Sequence, residues 1–177
     1  MATTMKLIAK VSLGADAANI EFTSIPGTFT DLCILMSARS DRNSSPSMED
    51  SLKIRINGDS ASNYTSRLLY GATNSNNVAS ASEATNYAVC YVTMTSTANT
   101  ASTFGNAAIY IPNYTGTTNK SFSVEGVSEQ NGTNAGIGVA ACLWSSSSAI
   151  TSVLLYPYHG SNLKSGSSAF LYGITKA

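Results

Sequence analysis

"SLKIRINGDSASNYTSRLLYG", residues 51–71, is the stretch whose reading decides the fold class. In an extended chain Leu52, Ile54 and Ile56 point to one side and Lys53, Arg55 and Asn57 to the other, because successive side chains face opposite sides of a strand. That pattern describes a strand with one wet face. Asn57-Gly58 is a dipeptide suited to left-handed turn conformations, and the following run brings back Tyr64, Leu68 and Leu69. The stretch therefore predicts two strands joined as a hairpin. Asp59 with Asn57 and Asn63 could be read as a cation site, but their spacing matches no Ca²⁺ loop with acidic ligands at alternate positions and a terminal Glu. Turn chemistry accounts for these residues without a metal.

The same extended pattern recurs along the chain, over 5–13, 19–22, 31–38, 51–57, 64–70, 87–94, 107–112, 121–128, 137–144, 150–156 and 168–175. Helical periodicity is almost absent. Many short strands separated by turn residues predict an all-β fold: a two-sheet antiparallel sandwich, jelly-roll-like, of about eleven short strands. One domain over 1–177 with a short N-terminal arm, 1–6, fits the length. The expected core is Ile8, Ile20, Phe22, Ile34, Ile54, Val89, Ile109, Phe122, Val124, Val139, Ile150, Val153 and Leu171. Residues 38–51, polar and containing Pro46, read as a long loop outside the sheets, and the nearly low-complexity 71–86 as an excursion or a segment stiffened by assembly. Ser145 to Ser148 reads as a tight solvated connection.

Charged residues are 11% of the 177, the ten cations balance ten anions, and Ser, Thr and Asn supply roughly a third of the chain. The expected surface is polar but mostly uncharged. Such a surface has no long-range field to draw in phosphate backbones or acidic membranes, so no nucleic-acid or membrane partner is expected. Near-zero net charge also removes the repulsion that keeps small proteins apart, which favours self-association. No export signal and no membrane-spanning apolar run is read from the sequence. Cys33, Cys90 and Cys142 each sit in an apolar stretch, as free buried thiols do.

A search for chemistry returns little. Most carboxylates fall in predicted loops, and only Glu21 and Glu125 stand within strands where two acids could face a glycan across a groove. A Ser-His-Asp or Cys-His arrangement would have to use the single histidine, His159, and no Gly-x-Ser-x-Gly elbow occurs. One His and three separated Cys lack the paired spacing of a zinc site. The run 136–141, GIGVAA, lacks the third glycine of a phosphate loop and continues as a strand. No catalytic, cofactor-binding or metal-binding residue is assigned. Trp144, Tyr156 and Tyr158 could stack on sugars; interface-forming tyrosines and a core-capping tryptophan are the simpler reading.

Three stretches together, "IEFTSIPGTFTDLCIL" (20–35), "LKIRINGDSASNYTSRLLYG" (52–71) and the ending "AITSVLLY" to "SGSSAFLYGI" (149–174), resemble small virion proteins of tailed bacteriophages. The most specific elements are Ile25-Pro26 followed by Asp31-Leu32, the Asn57-Gly58-Asp59 turn with Asn63-Tyr64, and Gly166-Ser167 leading to Leu171-Tyr172-Gly173-Ile174. The resemblance implies a β-sandwich module on a capsid or tail, with no enzymatic residue. The resulting expectation is a capsid decoration, or cement, protein on the outer capsid surface, bound to the major capsid protein as a homo-oligomer, with a trimer favoured and no cofactor. Expected partner contacts are Met5 in the arm, Arg39, Arg42 and Met48 in the 38–51 loop, and Tyr156 and Tyr158. The alternatives are a tail-fibre or tail-tip module binding host-surface glycan, and a glycan hydrolase using Glu21 and Glu125.

Overall fold

A computed structural model describes residues 4–43, 49–73, 75–131 and 135–175, with 75–84 described by backbone alone. These residues form twelve strands and no helix: β1 (Met5–Ser12), β2 (Ile20–Phe22), β3 (Asp31–Ser40), β4 (Glu49–Ile56), β5 (Tyr64–Ala72), β6 (Ser75–Thr85), β7 (Ala88–Ser96), β8 (Gly105–Ile111), β9 (Lys120–Glu129), β10 (Ala135–Trp144), β11 (Val153–Pro157) and β12 (Ser168–Ile174). The all-β class is as expected. A wide layer has the order β1-β12-β3-β8-β9-β10-β5-β6, and a narrow layer the order β2-β11-β4-β7. Pairing is antiparallel except at one place, where Arg39 and Ser40 run parallel to Thr95 and Ser96. That short parallel ladder joins the layers into one mixed sheet, so they are not separate antiparallel sheets.

Alternation places the core. Along β9, Phe122 and Val124 are buried while Ser121, Ser123 and Glu125 are exposed, and β8 buries Ala107, Ile109 and Ile111 in the same rhythm. Of the expected core residues, Ile8 is only partly buried and Val139 faces solvent. The reason for Val139 lies on its neighbours. The inner positions in the first part of β10 are Gly136, Gly138 and Ala140, and β7 packs directly over them. A Cβ at Gly138 would stand 2.3 Å from the Tyr91 carbonyl oxygen, and one at Gly136 2.9 Å from Val92. Val92 itself has φ of 51°, a conformation a β-branched residue rarely adopts, beside the irregularity where the β4–β7 register shifts. Small residues face inward here because β7 occupies the space.

The opening stretch is a corner rather than a hairpin. Asn57 (φ 51°) and Gly58 (φ 66°) do form the tight turn, closed by the Asp59 amide donating to the Ile56 carbonyl at 2.9 Å. Yet β4 pairs with β7 and β11, while β5 pairs with β10 and β6 in the other layer. Side chains hold the crossing. The Tyr64 hydroxyl accepts the Ile56 amide at 3.0 Å, Asp59 accepts from the Trp144 indole and the Asn63 amide group, and the Asn57 oxygen accepts from the Thr151 and Ser152 amides.

Three expectations need correction. Residues 71–86 are not an excursion, since Ser75–Thr85 is an edge strand on β5. Met5 and Lys6, expected in the arm, belong to β1 and pair with Ile174 and Gly173, and residues 1–3 of the expected arm lie outside the described residues. The predicted 38–51 loop is narrower, as Ala38 to Ser40 end β3 and Glu49 to Ser51 begin β4.

Replacing Gly138 by Ala forces a methyl group onto a backbone oxygen and should lower stability by about 1–3 kcal/mol, read as a lower urea midpoint. An unchanged midpoint would show that β7 does not rest there. Asp59→Ala removes the acceptor for three donors at the corner and should cost about 1–3 kcal/mol, without change of fold by circular dichroism.

Candidate functional site

Several polar residues of the predicted 38–51 loop are committed to the scaffold. Asp50, fully buried, accepts the His159 and Gly160 amides at 3.0 and 2.9 Å, and Asp41 accepts the next two, from Ser161 and Asn162. Two carboxylates thus fasten four successive amides of the loop after β11. Arg39 is 7% exposed and donates to the carbonyls of Asn99, Thr100 and Thr103. It organises the loop after β7 and cannot serve as the expected partner contact, because its donors point inward. Arg42 is half-buried and donates to the Glu49 carbonyl. Met48 lies outside the described residues.

Glu21 projects outward from β2 between buried Ile20 and Phe22, and Glu125 outward from β9 between Val124 and Gly126. The core lies between their strands, so the two carboxylates look away from each other and do not share a cleft. Burial pushes the Cys90 thiol up to about 12 and the Cys142 thiol up to about 11. Cys33 is raised less, by partial burial and then by the charge of Glu125. Among the described residues no hydrogen bond couples His159 to a thiol; its ring packs on Tyr158 at 4.5 Å between centroids. Trp144 is 2% exposed, a core cap rather than a sugar platform.

Two surfaces remain. The first is the outer face of the wide layer. Register places Phe170, Leu35, Ala108, Glu125, Val139 and Leu69 side by side across six strands. Leu7, Leu35, Leu69, Tyr110, Ile137 and Val139 are each 41–58% exposed. Their exposed side-chain surface is on the order of 600 Å², at the top of the range for the largest apolar patch of a monomer. Small side chains on β8 leave two shallow grooves between apolar ridges, about 460 Å³ beside Leu35 and Phe170 and about 210 Å³ beside Ile137 and Val139. Met5, at the edge strand, lies on the same side as Leu7 and is 38% exposed, so it borders this face.

The second surface is the outer face of the narrow layer, where Tyr156 and Tyr158 lie. Lys53 on β4 stands over the rings of Tyr158, Tyr87 and Tyr156, with its ammonium 4.5, 4.6 and 5.6 Å from their centroids. Arg55 stands 5.5 Å from the Tyr156 centroid. Edge-to-face contacts extend the group through Tyr91 to Tyr70. Burial lowers the Lys53 pKa, and Arg55 lowers it further against the opposing charge of Asp50. The sequence singled out Tyr156 and Tyr158 but missed their cation, whose register against β11 is not legible from spacing.

Comparison with known protein families and with curated proteins finds no match.

Buried protons set the alkaline limit. The folded chain keeps protons on Tyr64, held at about 12, and on Cys90 and Cys142, while the unfolded chain releases them near 9 for a thiol and 10 for a phenol. Stability should therefore fall as pH rises past 9 and keep falling to about 12, measured by denaturant midpoints. In the native protein at neutral pH a thiol reagent should modify Cys33 alone; labelling of Cys90 or Cys142 at the same rate would contradict their burial.

Proposed function

We propose that this protein is a structural component of a tailed-bacteriophage virion, a capsid decoration protein that attaches to the major capsid protein on the outside of the shell. The observation that carries the reading is the outer face of the wide layer, where exposed aliphatic side chains from several strands lie around Glu125. A face of this kind gains free energy when another protein covers it, at roughly 25 cal/mol for each Å² of apolar area removed from water. With its polar border it approaches the ~800 Å² per partner of a stable interface. Association of decoration subunits into a trimer would multiply the contacts each assembly makes with the shell.

Two further observations support an adhesive rather than catalytic role. The carboxylates of half-buried Asp41 and buried Asp50 are engaged by backbone amides, and the buried thiols hold their protons far above neutral pH. The resemblance of 20–35, 52–71 and 149–174 to phage virion proteins supplies the biological setting. Against a tail-tip role stands the neutral apolar face, which suits repeated contact with a protein lattice.

The test is reconstitution on shells that lack the protein. Wild-type protein should bind in hundreds of copies and raise the temperature of shell rupture. Leu69→Asp combined with Val139→Asp, both at exposed positions, should keep its fold and lose binding at least about tenfold. Full binding by that variant, or localisation of the protein to the tail, would overturn the reading.

A further inference from the structure

The tyrosine-lined patch on the narrow layer is not needed for attachment through the wide layer, and its composition is unlike the rest of the surface. In a chain with ten cations, two stand together on one strand face, Lys53 and Arg55, and neither joins an ion pair among the described residues. The ammonium of Lys53 meets no hydrogen-bond acceptor there. Arg55 donates only through Nε, to the Asn86 carbonyl at 3.5 Å, which leaves both terminal amino groups of its guanidinium unused. No acid in the vicinity forms an ion pair with either cation, although the charges of Asp50 and Asp59 reach them. Asp50 is occupied by the Ser51, His159 and Gly160 amides, Asp59 by Asn63, Trp144 and Ala61, and Glu21 is two strands away across Leu154.

The rings hold the two cations between them. Tyr156 lies between the two cations, and its hydroxyl is buried without a hydrogen bond while the residue as a whole is half-buried. The part of Tyr156 open to solvent is therefore its ring and not its polar tip. Tyr158 and Tyr87 stand edge to face at 5.9 Å, which fixes their planes around Lys53. Packed rings hold both cations in position at little further cost in side-chain entropy, and a guanidinium so placed offers a fork that matches a carboxylate.

We propose that Lys53, Arg55, Tyr87, Tyr156 and Tyr158 form a binding site for a carboxylated sugar, with the carboxylate received by Arg55 and Lys53 and the pyranose ring packed against the solvent-open parts of Tyr156 and Tyr158. A neutral sugar would satisfy the ring but leave the cations unpaired; an acidic peptide would satisfy the cations but not the flat ring. The inference rests on the geometry of this patch and not on the capsid assignment. It is compatible with that assignment, because the patch and the apolar face look outward from opposite layers.

Isothermal titration of the full chain with an oligogalacturonate, its methyl ester and an oligoglutamate of equal charge tests the proposal. The oligogalacturonate should bind, more weakly as salt is raised, and the ester and oligoglutamate at least about tenfold more weakly still. Arg55→Gln should weaken binding about tenfold, and Lys53→Met, which keeps the packing against the rings, by a similar factor; Lys6→Gln should leave it unchanged. Thermal unfolding of each variant separates loss of binding from loss of fold. Absence of oligogalacturonate binding, equal binding of the ester or of oligoglutamate, or wild-type affinity in a folded Arg55→Gln protein would overturn the assignment.

Discussion

The close approach of β7 to the inner face of the wide layer is the constraint on which the rest depends. Tyr91 and Val92 press against β10 where it carries Gly136 and Gly138, and Thr93 lies where a side chain on Gly126 would project. A left-handed valine is the conformational cost of that approach. Because the inner positions of β10 under β7, Gly136, Gly138 and Ala140, must be small, the large residues of that part, Ile137 and Val139, stand on the outside, while the end of the strand buries Cys142 and Trp144. The apolar outer face is thus a consequence of how the interior is filled, and the same packing that stabilises the monomer leaves it with a surface to cover.

Polar groups do the joining that apolar burial cannot. The Asn57–Asp59 corner ties the two layers through Tyr64 and Trp144. Arg39 reaches three carbonyls of the loop after β7, and Asp41 with Asp50 secures the loop after β11. Buried Lys120 does the same for its own surroundings, donating to the carbonyls of Gly116 and Thr118. Buried Arg39, Asp50 and Lys120 are satisfied by backbone partners, the condition under which burial of a charge is tolerated.

Much of this was legible from one-dimensional pattern. Alternation identified Ile54, Ile109, Phe122 and Val124 as core, and Asn57-Gly58 as a turn. Pattern alone failed where the third dimension decides. Val139 and Ala140 carry equal claims to the interior until β7 is in place. Ser75 to Thr85 has no large apolar residue except Val78, and becomes a strand through the free edge of β5 rather than through its own composition. Arg39 reads as solvated because its acceptors come from residues some sixty positions downstream. The Lys53 patch was half visible: Tyr156 and Tyr158 stood out, but their cation and Tyr87 come from β4 and the segment before β7, brought together only by the β4–β11 and β4–β7 registers.

The account reduces to a slab with two unlike outer faces, one apolar and broad, the other aromatic and cationic. Hydroxyl-radical footprinting of the free protein and of the protein bound to shells tests it most directly. The account predicts that Leu69, Ile137 and Val139 lose reactivity on the shell while Tyr156 and Tyr158 keep theirs. Unchanged reactivity of the three aliphatic residues, with protection of the tyrosines instead, would contradict it.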